Sequence, residues 1–178
     1  MPKRVGLVLA VLLLVVLAAA AWWAGTTTGD GTSTSAEGPP TATDGIPSAA
    51  TPATIEYVHD GDTLFLDDGR KVRLLGIDTP EVGEHAECYG NEATALLRSL
   101  LPEGSSVRVL ADVQPLDQYG RSLLFVYRDD ATLVNLAMLE SGAAEAVVLE
   151  PNVLFAERLR AAEDDARAAG LGLWGECR

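Results

Sequence analysis

Residues 71–81, with the sequence KVRLLGIDTPE, limit the fold of this chain more than any other segment. Apolar residues run almost without interruption from Val72 to Ile77, which is typical of a buried strand. Arg73 lies inside this run. Because an unpaired buried charge is energetically costly, we expect an anion or a carboxylate to pair with this arginine.

The same strand is predicted to end at Asp78-Thr79-Pro80-Glu81. Pro80 keeps Thr79 out of the helical region and has no N–H group with which to continue a ladder. The cation of Arg73 and the carboxylates of Asp78 and Glu81 therefore lie within nine residues at the end of a rigid element. This arrangement predicts a functional site.

The charge balance of the chain is strongly acidic. Its 178 residues include 26 Asp and Glu against 13 Lys and Arg, which gives a formal net charge of −13. Broad electrostatic binding to nucleic acid would require a basic surface. A small cationic site, or a bound metal that changes the local sign of the charge, is still compatible with this composition.

The N-terminal residues indicate a targeting segment. Lys3 and Arg4 precede an uncharged apolar run over residues 5–24, which is long enough to span a bilayer with the following chain outside the cytoplasm. Residues 1–25 are thus a signal anchor or a signal peptide. The Trp22-Trp23 pair favours the uncleaved anchor over the cleaved peptide. An uncleaved anchor would make the membrane a partner of this protein. Residues 26–52 are rich in Thr, Ser and Pro and predict a flexible, disordered linker.

The remaining residues, 53–178, predict a single domain of short strands followed by helices. Predicted strands cover residues 55–58, 63–66, 71–77, 106–111 and 123–127, and residues 145–149 form a short extended piece. Predicted helices cover residues 91–101, 133–140 and 153–169, the last of them capped by Asn152. Five strands and three helices indicate an α+β fold with a small closed or partly open barrel.

Two aspartates are candidates for a metal site. Asp62 follows the Asp60-Gly61 turn and Asp78 ends the third strand, so adjacent antiparallel strands could bring both carboxylates to one end of the barrel. Carboxylates held close together repel unless a cation lies between them. Hard oxygen ligands suit Ca²⁺, and Mg²⁺ less well. Alternatively, each aspartate is simply a turn or cap residue.

A second polar cluster is DQYGR at residues 117–121. Arg121 precedes a predicted strand and, together with Arg73, would provide two planar donor groups that match phosphate oxygens. Glu81 could then orient or deprotonate a water molecule. The alternatives are a surface ion pair between Arg121 and Asp117, and core packing for Tyr119.

Three motifs together resemble those of the staphylococcal-nuclease-like (thermonuclease) family, in the same order and with similar spacing. They are DGDT at residues 60–63, RLLGIDTPE at 73–81 and DQYGR at 117–121. The segments 91–101 and 171–174 also resemble that family's first helix and C-terminal end. The resemblance covers roughly residues 54–174.

This resemblance implies a five-stranded OB-fold barrel and calcium-dependent cleavage of DNA and RNA. By the same resemblance, the metal ligands are the carboxylates of Asp62 and Asp78 and the main-chain carbonyl of Thr79. Asp60 is an acid that supports those ligands without binding the metal itself. Tyr119 is assigned to substrate binding. The catalytic residues are Arg73 and Arg121, which bind phosphate, and Glu81, which acts on the attacking water.

The chain departs from the family in two respects. Residues 145–149 (EAVVL) have no aromatic side chain where the best-known member has tyrosines beside the nucleotide. Base stacking, worth roughly 1–3 kcal/mol per base, is therefore reduced on that side. The Lys- and Arg-rich surface of that member is also missing. We expect weak, salt-sensitive substrate binding and a larger requirement for divalent ions.

The two cysteines, Cys88 and Cys177, are far apart in sequence. In some secreted relatives the family's fold returns the C-terminal end towards the loop that contains Cys88, which implies a disulfide. Two free thiols are the alternative, and the extracytoplasmic setting favours the bridge.

The leading functional hypothesis is a monomeric extracytoplasmic nuclease, either secreted or anchored in the membrane, that acts on DNA or RNA. Because a fold does not by itself give a function, the alternative is an OB-fold module with weak or no catalysis that binds nucleic acid or protein at the cell envelope. A purely structural envelope protein would leave the cluster of arginines and acids unexplained.

Overall fold

A computed structural model of the chain describes residues 45–177. The predicted targeting segment, residues 1–25, and most of the predicted linker lie outside the described residues. Among the residues that are described, no helix combines the length and apolar character needed to cross a membrane.

Five strands close into a barrel. They are β1 (Thr51–Val58), β2 (Thr63–Leu66), β3 (Lys71–Leu74), β5 (Ser106–Leu116) and β6 (Ser122–Arg128), in the order β1-β2-β3-β6-β5. The first three form the predicted antiparallel meander, whereas β3 and β6 pair in parallel. Two further two-residue strands, β4 (Ile77–Asp78) and β7 (Glu145–Ala146), pair with each other beside the barrel. The predicted α+β fold with a five-stranded barrel is confirmed.

Three helices of at least seven residues accompany the barrel: α1 (Gly90–Leu100), α2 (Val134–Glu140) and α3 (Ala156–Ala169). A 3₁₀ turn (Gly83–His85) and the short helix α4 (Leu173–Glu176) lie outside the predicted set. The helices pack on the apolar core. Leu64, Leu74 and Leu97 are completely buried there, and each contributes about 1.5–3 kcal/mol.

The third strand is shorter than predicted, and the prediction of residues 71–77 is wrong in its length. β3 ends at Leu74, and Gly76 adopts a left-handed φ of 82°, so the chain turns before β4 begins. A continuous apolar run does not reveal this turn, because both sides of it are buried. Asp78 is thereby placed at the end of a separate short strand rather than on β3.

The predicted linker boundary also needs correction. β1 begins at Thr51, so the last two residues of the segment 26–52 belong to the barrel. Ala50 just before it is buried, and its carbonyl accepts hydrogen bonds from the Arg108 guanidinium at 3.2 and 2.7 Å. The first residues of β1 are small or polar and largely exposed, so they carry no apolar pattern that would predict a strand.

Asn152 does not cap the last helix, which begins four residues later at Ala156. Its side-chain oxygen accepts a hydrogen bond from the Gln114 N–H at 2.7 Å, and its amide group donates to the Gln114 carbonyl at 3.0 Å. These two bonds join the segment before α3 to the extended end of β5. The capping prediction is wrong because a long-range partner takes both polar atoms.

A buried asparagine on α2 joins the helix to the barrel. Asn135 is fully buried, and its side-chain oxygen accepts from the Val126 N–H at 2.9 Å. Its amide group donates to the carbonyls of Leu75 (2.8 Å) and Leu124 (3.2 Å). Through the Leu75 carbonyl, Asn135 thus joins β6 to the turn after β3, the same turn that leads to Asp78.

Candidate active site

The turn between β1 and β2 presents Asp62. The Oδ1 atom of Asp60 accepts hydrogen bonds from the N–H groups of Asp62 (3.2 Å) and Thr63 (2.8 Å), which is the bonding of an Asx-turn. Asp60 therefore shapes the turn. Its assignment as an acid that supports metal ligands stays a prediction.

Asp62 is largely buried and connects this turn to the segment after β4. Its Oδ1 accepts from the Thr63 hydroxyl at 3.0 Å, and its Oδ2 accepts from the Thr79 N–H at 3.1 Å. Gly61 makes the approach possible, since a Cβ there would lie 2.6 Å from the Thr79 hydroxyl oxygen. Burial raises the pKa of the Asp62 carboxyl, and the nearby Arg73 guanidinium opposes that rise in part.

The expected carboxylate partners of Arg73 are present. Its Nη2 atom lies 3.1 Å from Oδ2 of Asp62 and donates a hydrogen bond to Oδ1 of Asp78. Its Nη1 atom donates to the carbonyls of Leu74 (2.9 Å) and Ile77 (2.6 Å). The guanidinium therefore lies across the turn between β3 and β4 and brings both aspartates to one cationic centre.

Arg121 directly precedes β6, the strand that pairs with β3. In the parallel pairing of β3 and β6, Ser122 lies opposite Val72, so the two arginines are separated by only two residue positions along neighbouring strands. The Arg121 Nε atom donates to Oδ2 of Asp117 at 2.6 Å. The ion pair that the sequence left open is thus present, and it fixes the direction of the arginine.

Tyr119 lies on the surface of this loop rather than in the core. It is 75% exposed, and the Arg121 guanidinium carbon lies 5.7 Å from its ring centroid. Core packing, the alternative from sequence, is wrong for this residue. An exposed ring beside an arginine can stack on a flat ligand.

Glu81 has an exposed side chain and a firmly held main chain. Its N–H donates to Oε2 of Glu87 at 3.0 Å, and the Glu87 N–H donates back to the Glu81 carbonyl at 2.9 Å. Sequence reasoning did not identify Glu87 as part of the site. A glutamate six residues away, in an exposed loop, carries no periodic signal that would single it out.

The donor atoms fit a hard cation with several water ligands. Within residues 45–177, no three His, Cys, Asp or Glu side chains converge closely enough to hold a metal alone. Asp62 and Asp78 nevertheless reach the same positive atom of Arg73. Two carboxylates and one main-chain carbonyl would leave most coordination positions of the cation to water molecules, as in many Ca²⁺ and Mg²⁺ sites.

A disulfide joins the loop before α1 to the C-terminal end. The sulfur atoms of Cys88 and Cys177 are bonded, and their Cα atoms are 5.8 Å apart. Cys88 directly follows Glu87, so the bridge holds the segment that contacts Glu81.

Comparison with known proteins identifies the family of this chain. The family model described as "Staphylococcal nuclease homologue" matches residues 71–176, more than half of the chain. The chain belongs to this family. The matched residues include the second and third motifs, at 73–81 and 117–121, and begin after the first, at 60–63. The resemblance to this family is confirmed.

Three relatives share nearly the same fraction of identical residues with this chain. A thermonuclease of Staphylococcus intermedius is 32% identical over 126 residues, which is 67% of this chain and 74% of the relative. Endonuclease YncB of Bacillus subtilis (strain 168) is 31% identical over 129 residues, 69% of this chain and 61% of the relative. A thermonuclease of Staphylococcus hyicus is 32% identical over 123 residues, 66% of this chain and 72% of the relative.

Proposed function

We propose that this nuclease homologue is a calcium-dependent endonuclease that hydrolyses DNA, RNA or both outside the cytoplasm. Its family and the nuclease activities named for its relatives support hydrolysis of phosphodiester bonds. The observation that carries the proposal is the convergence of Asp62 and Asp78 on Arg73 at one end of the barrel. Such a cluster suits a phosphate and a divalent cation.

The cation would be held by the carboxylates of Asp62 and Asp78 and by the main-chain carbonyl of Thr79. When bound, it would stabilise the negative charge on a phosphate oxygen as a Lewis acid. The hard oxygen ligands favour Ca²⁺, and the strict octahedral geometry of Mg²⁺ makes that ion the weaker candidate.

The arginines and Glu81 then have separate roles. With the cation rather than Arg73 paired to Asp62 and Asp78, Arg73 and Arg121 donate hydrogen bonds to phosphate oxygens and neutralise the charge that builds up during in-line attack. Glu81 orients the attacking water molecule and accepts its proton. The exposed ring of Tyr119 stacks against a base near the cleaved bond and adds roughly 1–3 kcal/mol to binding.

The proposed location outside the cytoplasm rests on two features. The first is the basic start and apolar run of residues 1–25, read as a signal anchor or signal peptide. The second is the Cys88–Cys177 disulfide, which is a bond typical of oxidising compartments. If the segment is kept, it anchors the enzyme to the membrane as a monomer.

The decisive experiment measures cleavage of single-stranded DNA and RNA with Ca²⁺, with Mg²⁺ and with a chelator. Parent protein is compared with Arg73→Ala and Glu81→Gln. Arg70→Gln is the matched control, because Arg70 forms its ion pair with Asp68 in an exposed turn. We expect strong losses in the two site variants and parent activity in the control. Binding of the nucleic acid by the parent without cleavage would instead support a catalytically inactive module.

A further inference from the structure

The middle of the loop that carries Glu81 is exposed. The loop runs from the end of β4 to the start of α1, and its middle is the 3₁₀ turn Gly83–His85, whose three residues are all exposed. The position of Glu81 is therefore decided at the two ends of the loop. At the first end, Thr79 is buried and held by Asp62.

At the second end, Glu87 closes the loop. Its Oε2 accepts the Glu81 N–H at 3.0 Å, and its own N–H donates to the Glu81 carbonyl at 2.9 Å. Both main-chain polar groups of Glu81 thus bind one residue. The bond to the carboxylate is charge-assisted, and such bonds are roughly twice as strong as neutral ones.

Neighbouring residues hold Glu87 itself in place. Cys88 is fixed by the disulfide to Cys177. Gly90 begins α1 against the main chain of the loop: a Cβ there would lie 2.3 Å from the Glu81 carbonyl oxygen and 2.9 Å from that of Pro80. The Glu87 carboxylate therefore projects from a segment that the disulfide and the start of α1 both constrain.

We infer that Glu87 is a positioning residue for Glu81. It fixes the main chain of Glu81, and through it the start of the side chain that contacts the attacking water. This inference rests on the proposed function, in which Glu81 acts on that water. A displacement of about 1 Å in such a group can reduce the rate by about a hundredfold.

The experiment begins with Glu87→Ala, Glu87→Gln and the control Glu84→Gln. Glu84 lies in the same loop, is exposed, and its side chain forms no hydrogen bond or ion pair within residues 45–177. For Glu87→Ala we expect kcat on single-stranded DNA to fall by about 10- to 100-fold, with little change in KM or in the calcium concentration for half-maximal activity. Glu87→Gln keeps an acceptor oxygen and should restore part of the rate, and the control should match the parent.

A double-mutant cycle separates positioning from a merely structural role. If Glu87 acts through Glu81, adding Glu87→Ala to Glu81→Gln should slow the enzyme no further. Independent, multiplicative losses, or parent-like kcat in Glu87→Ala, would overturn the inference. The cycle is repeated with Glu87→Gln if the alanine variant does not fold. Parent-like activity of Glu81→Gln alone would instead refute the proposed role of Glu81.

Discussion

The Nη2 atom of Arg73 lies 3.1 Å from the Oδ2 atom of Asp62, and the side chains are only 12% and 11% exposed. This largely buried pair joins the third strand of the barrel to the turn between the first two strands. The apolar strand can hold Arg73 because the fold brings the Asp62 carboxylate to it.

Replacing Arg73 by Gln should reduce both activity and stability. Loss of one donor to a charged transition state typically costs about 10²–10³ in kcat. Without added metal, the unpaired Asp62 should lower the free energy of unfolding by about 3 kcal/mol, the cost of breaking a buried pair.

Calcium should restore part of the lost stability in Arg73→Gln, because a cation bound by Asp62 and Asp78 replaces the missing charge. Thermal unfolding of parent and variant, with Ca²⁺ and with a chelator, measures this difference. An identical response to Ca²⁺ in Arg73→Gln and in a variant that also carries Asp62→Asn would contradict the assigned metal ligand.

The ion pair of Asp117 with Arg121 should depend on pH. Burial raises the pKa of the Asp117 carboxyl, but hydrogen bonds from Arg121 and Tyr119 outweigh this, so its pKa lies below the ordinary value. The pair should therefore stabilise the fold above about pH 4 and lose this contribution as pH falls through the lower native pKa. Compared with the parent, Asp117→Asn should be less stable by about 1 kcal/mol at neutral pH and equally stable in strong acid. Urea unfolding across pH checks this, and a constant difference would refute it.

The buried amide of Asn135 should be essential for the fold. Replacing it by Leu leaves the Val126 N–H and the Leu75 carbonyl without their partner, at a cost of about 1–3 kcal/mol for each unsatisfied group. The Leu124 carbonyl keeps the hydrogen bond from the Leu75 N–H at 2.9 Å. We expect a loss of several kcal/mol in chemical denaturation. The neighbouring Met138→Leu, a core change of similar volume, should cost less than about 1.5 kcal/mol. Equal effects of the two substitutions would argue against this role.

Removing the disulfide should weaken the domain. The bridge spans 89 residues, and removal of a native disulfide typically costs about 2–5 kcal/mol. The double variant Cys88→Ser/Cys177→Ser should therefore unfold at lower denaturant concentration. Mass spectrometry of the non-reduced parent should show a mass two hydrogens below that of the reduced chain, and no such deficit would exclude the bridge.

Substrate binding should weaken sharply with salt. The net charge is −13, so binding depends on the local charges of Arg73 and Arg121. Two phosphate contacts on a single strand predict a loss of about sevenfold in affinity between about 50 and about 200 mM salt. KM for single-stranded DNA measures this change, and a KM that does not respond to salt would show that the arginines do not contact phosphate.

Much of the site could be predicted from local sequence. Alternating and continuous apolar residues identified the five strands, and Asp60, Asp62, Arg73, Asp78, Glu81 and Arg121 each stand in a short motif next to a strand. The predictions that failed concern boundaries. Gly76 turns the chain inside a buried apolar run, and Asn152 binds Gln114 rather than capping a helix.

The sequence by itself determined the strands, the residue types of the site and the family, because short-range patterns encode all three. Tertiary structure alone decided which groups meet: Arg73 with Asp62, Asn135 with three distant main-chain groups, and Glu87 with Glu81. The physical reason is that local patterning specifies which face of an element is buried. The partner of a polar atom is set only when the closed barrel and the packed helices bring remote segments within hydrogen-bond distance.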